Sequence, residues 1–193
     1  MAVRERPLTP AARRVLQVAS ELFYERGIGS VGMELIAAEA GVTKKTVYDR
    51  FGSKDALILA YLRARDERWH AFIEGRLSEI ADPRERVLAT FDALGEWLTT
   101  KCRRGCSMVN ACAELPEPSH PVHRLAAEQK AWVRALYAEQ VGDGALADQL
   151  LILHEGAIVA FSVGGVHDAT GKARAAAAAI LPATLSAAGA RTC

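Results

Sequence analysis

The run Met33–Phe51, MELIAAEAGVTKKTVYDRF, decides the fold. Leu35, Ile36 and Ala40 recur at helical spacing, Gly41 interrupts the pattern, and Thr43 can cap a second short helix that carries Val47 and Phe51 on its inner side. This is the outline of a helix-turn-helix. Its second helix turns Lys44, Lys45, Thr46, Tyr48 and Arg50 outward, a set of cationic and hydroxyl groups that suits phosphate oxygens and base edges. An αα-corner with solvated lysines has the same glycine and the same apolar spacing, so periodicity alone leaves both readings open.

The surrounding sequence carries a resemblance. From Ala12 to Leu62, and above all in LFYERGIGSVGMELIAAEAGVTKKTVYDRFGSKDALI, the chain resembles the amino-terminal domain of TetR-family transcriptional regulators. An amphipathic helix ending at Gly27, the helix-turn-helix, and the pattern Thr-Val-Tyr-x-x-Phe-x-Ser-Lys-x-x-Leu over Thr46 to Leu57 coincide. The stretch Arg104 to Val122, RGCSMVNACAELPEPSHPV, is similar to a segment of the effector domains in one branch of that family. The resemblance implies a three-helix DNA-binding domain over residues 1–52 and an effector-binding and dimerisation domain over 53–193. It also implies that Tyr48 and Lys54 occupy positions that touch the DNA backbone. Asp49 and Lys45 depart from the family's usual residues, so the operator sequence is not implied.

Composition bounds the rest. A chain of 193 residues, half of them hydrophobic, can bury a sizeable core in one or two domains without staples. The formal charge is +1, with nine Lys or Arg against seven Asp or Glu in the first 55 residues, so any basic footprint is local. No apolar run reaches the ~20 residues of a membrane span, and MAVRERPLTP lacks the apolar centre of a secretory signal, which predicts a cytoplasmic protein with no membrane partner. Four cysteines, at 102, 106, 112 and 193, are expected as reduced thiols.

Along the chain the pattern is helical throughout, and about nine helices are expected. Residues 1 to 8, with Arg4 and Arg6, read as a basic arm or a frayed terminus. Thr9-Pro10 opens the first helix, which runs to about Arg26. After Gly52-Ser53, an apolar stripe from Ile58 to Ile80 predicts one long helix leading out of the DNA module. Asp82-Pro83 starts the next. A short helical piece from Cys106 to Ala113, a proline-punctuated loop and an amphipathic helix from Pro121 to about Gly142 follow. Residues 145 to 166 are apolar on more than one face and need cover on two sides. With the alanine-rich helix from Thr170 to Leu181, the segment 145–188 is the expected homodimer interface, a four-helix arrangement that the resemblance also implies.

Candidate residues follow from this organisation. For double-stranded operator DNA they are Thr43, Lys44, Lys45, Thr46, Tyr48, Arg50 and Lys54; Arg50 can pair bidentately with guanine or clamp a phosphate. For a small-molecule effector they are Trp69, Phe72, Phe91, Trp97, Met108, Asn110, Trp132 and His154, an aromatic group with a few polar members. The C-x3-C-x5-C spacing lacks paired zinc knuckles, so no metal and no cofactor is expected. Arg103 and Arg104 make Cys102 the redox candidate. No nucleophile motif accompanies His123 or His154, and no enzyme is expected. The reading is a ligand-responsive, DNA-binding repressor; the alternative is a helical ligand carrier or redox sensor without specific DNA binding.

Overall fold

The computed structural model describes residues 8–183 and 185. The expected arm, apart from Leu8, lies outside these residues, as do positions 184 and 186–188 of the expected dimer segment and Cys193. Among the described residues the chain is all α: α1 Pro10–Arg26, α2 Met33–Ala40, α3 Lys44–Phe51, α4 Lys54–Leu77, α5 Pro83–Thr100, α6 Ser107–Glu114, α7 Pro121–Val141, α8 Gly144–Ser162 and α9 Ala169–Ile180. The chain gathers into two compact units. The first ends at Arg65 and takes in Met108–Leu125; the second comprises Asp66–Ser107 and the chain from Ala126.

In the first unit, local signals set each helix. Thr9 caps α1 by accepting from Ala12 N, with Pro10 at the first helical position. Gly41 ends α2 at φ 66°, in the left-handed region, and its N–H reaches back to Ala37 and Ala38 carbonyls. Val15, Ala19, Phe23, Ile36, Val47, Leu57, Ile58 and Tyr61 form the core, with the Phe23 and Tyr61 rings 5.8 Å apart. Polar contacts also join the elements. Arg14 Nε donates to the Ala40 carbonyl at 2.9 Å, and Glu114 Oε2, at the end of α6, accepts from Gly29 N at 2.8 Å.

The second unit is built around aromatic side chains and small-residue contacts. α9 lies along α5 and α8, with Ala169, Ala173 and Ala177 buried; methyl-sized side chains permit that approach. Arg84 on α5 closes the end of α9 by donating to the carbonyls of Ala178, Leu181 and Pro182. Gly105 holds φ 75°, and a Cβ there would stand 2.8 Å from Ser162 Cβ, so position 105 in the connection before α6 tolerates no side chain.

Two helix ends differ from the apolar stripes. α4 stops at Leu77 rather than Ile80, because Arg86 takes the carbonyls of Leu77 and Ile80 at 2.7 and 3.0 Å and satisfies an early end. α8 stops at Ser162 rather than near Val166, with Gly164 left-handed at φ 67° just beyond. Among the described residues the two-faced apolarity of α8 is covered on one face only. Ala147, Leu150, His154, Ala157 and Ile158 are buried, while Ile152 and Val163 are 70% and 73% exposed.

His154 is a polar group inside this apolar helix, and it is satisfied. Its Nδ1 lies 2.9 Å from the Tyr137 hydroxyl, both side chains being fully buried. Burial, aided by the Lys130 charge, pushes the imidazole down to about 3, and burial, with the Glu155 charge, pushes the Tyr137 phenol well up. The pair is therefore neutral. A base whose folded value lies below its unfolded value adds stability above the unfolded value and loses it as pH falls towards the folded one. Between pH 7 and 5, titration of His154 in the unfolded chain is expected to lower stability by about 2 kcal/mol. Urea denaturation at the two pH values checks this, and His154→Asn should remove most of the pH-dependent part; an equal slope in the variant contradicts the assignment.

Candidate functional site

The exposed side of α3 is the first candidate. Thr43 caps the helix, its Oγ1 accepting from Thr46 N at 3.1 Å and lying 2.9 Å from Thr46 Oγ1. Val47 is fully buried and fixes which side faces inward. Thr43, Lys44, Lys45, Tyr48 and Arg50 are exposed, and Thr46 is half-buried, so the structure brings these six onto one short helix and its cap. Lys54, at the start of α4, is half-buried, with Nζ donating to the Ile28 carbonyl at 2.7 Å. An ammonium has three donors, so Lys54 can keep that anchor and still meet a phosphate.

The charges on α3 are not all free. Lys44 Nζ pairs with Glu34 of α2, a hydrogen bond that holds the Glu34 carboxyl below and the Lys44 ammonium above their usual values. Lys45 pairs with Asp49 one turn on, at 2.7 Å. Arg50 has no such partner among the described residues, which makes it the uncompensated cation of this surface. Exposed pairs contribute only about 0 to 1 kcal/mol, so phosphate oxygens can take both lysines over. Asp49 then stays on the outward face as an acceptor, a group that repels phosphate and can accept from cytosine N4.

The second candidate is the aromatic group of the second unit. Trp69 lies 6.2 Å from Phe72, 5.4 Å from Trp97 and 6.0 Å from His154 between ring centroids, and Phe91 lies 6.2 Å from His154. The structure thus brings five of the eight expected ligand residues together. Trp132 stacks instead on His70 at 3.7 Å and borders a cleft of about 540 Å³ that Glu74, Arg86, Arg134, Leu136 and Glu139 also line. Met108 and Asn110 sit on α6 in the first unit. Sequence reasoning missed the partners Tyr137, His70, Lys130 and Glu155, which no motif singles out.

Lys130 joins a thiol and a carboxylate in this unit. Its Nζ donates to Glu155 Oε1 at 2.8 Å and to Cys106 Sγ at 3.3 Å. Burial alone would push this ammonium down, but the Cys106 sulfur and the Glu155 carboxylate hold it above its usual value. Nearby, Asp66 Oδ1 lies 3.3 Å from His70 Nε2, and burial raises the Asp66 carboxyl against the pull of His70 and Lys130.

Known proteins decide between a DNA module and a plain helical corner. Residues 15–61 match the family described as bacterial regulatory proteins, tetR family. The crystal structure of a TetR-family transcriptional regulator from Streptomyces coelicolor is 31% identical, covers 88% of this chain and 90% of its own, and superposes with a TM-score of 0.76. The chain belongs to the TetR family of transcriptional regulators. Among curated TetR-type relatives, an uncharacterised helix-turn-helix regulator of Mycobacterium tuberculosis is 34% identical over 100 residues, 47% of this chain and 50% of the relative. The chain spans about half the length of that curated relative. The repressor KstR2 of Mycolicibacterium smegmatis is 28% identical over 156 residues, 75% of this chain and 72% of the relative. These relatives are named as regulators rather than as enzymes.

For a TetR-family protein with this α3 surface, Asp49→Ala is expected to raise affinity for random duplex and to steepen the log–log salt dependence by about one unit, because Lys45 is released. Arg50→Ala is expected to flatten base preference at one operator position by about 1 to 3 kcal/mol. Fluorescence anisotropy on operator and random duplexes over a salt titration separates the two effects. An unchanged salt slope for Asp49→Ala contradicts its role as a brake on non-specific binding.

Proposed function

We propose that this protein is a homodimeric repressor that occupies a near-palindromic operator and leaves it when a small molecule binds its carboxy-terminal domain. The observation that carries the reading is the capped, eight-residue α3 that turns Lys44, Lys45, Tyr48 and Arg50 to solvent over a buried Val47. On this reading Thr43, Thr46 and Lys54 add hydroxyl and ammonium donors to phosphate. Relatives include both a repressor, KstR2, and an activator, FasR; the longer match, 72% against 39% of the relative, is to the repressor. A partner of operator DNA supports a cytoplasmic location.

Residues 1–52 carry the DNA-reading groups other than Lys54 and residues 53–193 the effector and dimer functions, although compactness groups the first half of α4 and all but the first residue of α6 with the former. The uncovered face of α8, with Ile152, Val159 and Val163, supports a second copy of this chain packing on 145–188. By length and composition α8 could also cross a membrane. The buried, hydrogen-bonded His154 on its inner face favours a helix of a water-soluble core. The aromatic group of Trp69, Phe72, Phe91, Trp97 and His154 and the cleft beside Trp132 support an effector with apolar or aromatic surface.

Ile152→Glu with Val163→Glu changes side chains that a single chain leaves exposed, so folding is expected to survive while the dimer does not. Sedimentation should show monomers, and operator binding should be lost, because one short module makes too few contacts. Wild-type monomers at micromolar concentration would contradict the proposal. A bound effector should weaken operator affinity about 5- to 150-fold, and operator should weaken effector binding by the same factor. Calorimetry with and without operator tests that reciprocity.

A further inference from the structure

Three segments distant in sequence place a thiol, an ammonium and a carboxylate together. Cys106 ends the connection before α6, Lys130 lies on α7 and Glu155 on α8. Lys130 Nζ donates to both neighbours, at 3.3 Å to sulfur and 2.8 Å to Glu155. The lysine and glutamate side chains keep 22% and 27% of their exposure, and Cys106 is half-buried. The cluster is thus shielded yet reachable. A Lys–Glu pair would be complete without sulfur; the third contact sets a nucleophile beside a proton donor.

That geometry fits one chemistry. In a conjugate addition the Cys106 sulfur bonds to the β-carbon of an α,β-unsaturated carbonyl compound, and the carbon–carbon π pair moves to form an enolate. The Lys130 ammonium protonates the α-carbon, and the proton lost from the thiol restores the ammonium. Thiol and enone become a thioether, with no oxidant or reductant consumed. The thiolate is the form that attacks, and Lys130 Nζ is the donor that stands against this sulfur. Cys102, whose sequence neighbours are arginines, is only 5% exposed, so the structure moves the reactive candidate from Cys102 to Cys106.

We infer that Cys106 is a covalent acceptor for small α,β-unsaturated carbonyl compounds, with Lys130 positioning its sulfur and Glu155 positioning Lys130. As a regulatory site the inference rests on the reading of the protein as an effector-responsive regulator. An adduct on Cys106 adds bulk and removes the sulfur contact of Lys130. Cys106 is also the residue directly before α6, whose last residue, Glu114, holds Gly29 N at the exit of α1.

The test treats full-length protein at neutral pH with cyclohex-2-enone and maps adducts by peptide mass spectrometry over time. Cys106 is expected to label roughly tenfold or more faster than Cys102. Lys130→Met with Glu155→Gln, which leaves no unpaired charge, should slow Cys106 by roughly tenfold, and Lys130→Arg should restore the rate. Equal labelling of Cys102 and Cys106, or a Cys106 rate indifferent to both Lys130 variants in proteins of unchanged thermal melting, overturns the inference. Alkylated wild type should lose operator affinity while Cys106→Ser keeps it and ignores the enone. Selective labelling with unchanged operator affinity overturns the regulatory role. If untreated protein binds no operator at all, the repressor reading fails, and the labelling rates still decide the acceptor site.

Discussion

A helix of eight residues does not persist alone in water, where isolated helices shorter than about 12 residues are marginal. α3 is that short, so its outward face exists only because tertiary contacts hold it. Val47 is its single fully buried side chain, Thr43 satisfies its first turn, and Gly41 sets the chain direction between α2 and α3 through a left-handed backbone. The core beneath, from Val15 and Phe23 to Leu57 and Tyr61, is what keeps the cations of α3 in a fixed array. Recognition in this protein is thus a property of the first unit as a body rather than of one helix.

What the sequence disclosed follows the range of each interaction. Caps at Thr9 and Asp82, prolines at helix starts and the glycine between α2 and α3 act within four residues, and each could be placed from local pattern. The two-faced apolarity of α8 was equally plain. Side-chain partners were not, because they depend on how helices cross. Glu34 meets Lys44 across the turn, Lys54 finds the Ile28 carbonyl 26 residues back, and Lys130 finds Cys106 24 residues away. Flanking arginines point to Cys102, whereas the cation beside Cys106 comes from another helix. The end of α4 shifted for the same reason: Arg86, nine residues beyond Leu77, supplied the cap.

The second unit solves a different problem, that of holding polar groups in an apolar interior. Tyr137 and His154 satisfy each other as a neutral pair, whereas Lys130 and Glu155 remain a charged pair at the half-buried edge. Neutral groups went deepest and charges stayed where water still reaches them, as desolvation costs require. The aromatic rings of Trp69 and Phe91 stand against the neutral pair.

The glycines divide into two kinds by what surrounds them. At Gly41 the left-handed backbone is the sole constraint, since nothing stands within 4 Å of a Cβ position; asparagine, which visits that region at modest cost, is a tolerable replacement. At Gly105 the same backbone demand coincides with Ser162 pressed against the vacant position. Two independent obstacles act there, so neither a change of residue preference nor a trimmed neighbour alone would admit a side chain. Among diverging copies of this gene, position 41 is free to drift within a small set, while position 105 is frozen unless residue 162 and the backbone change together.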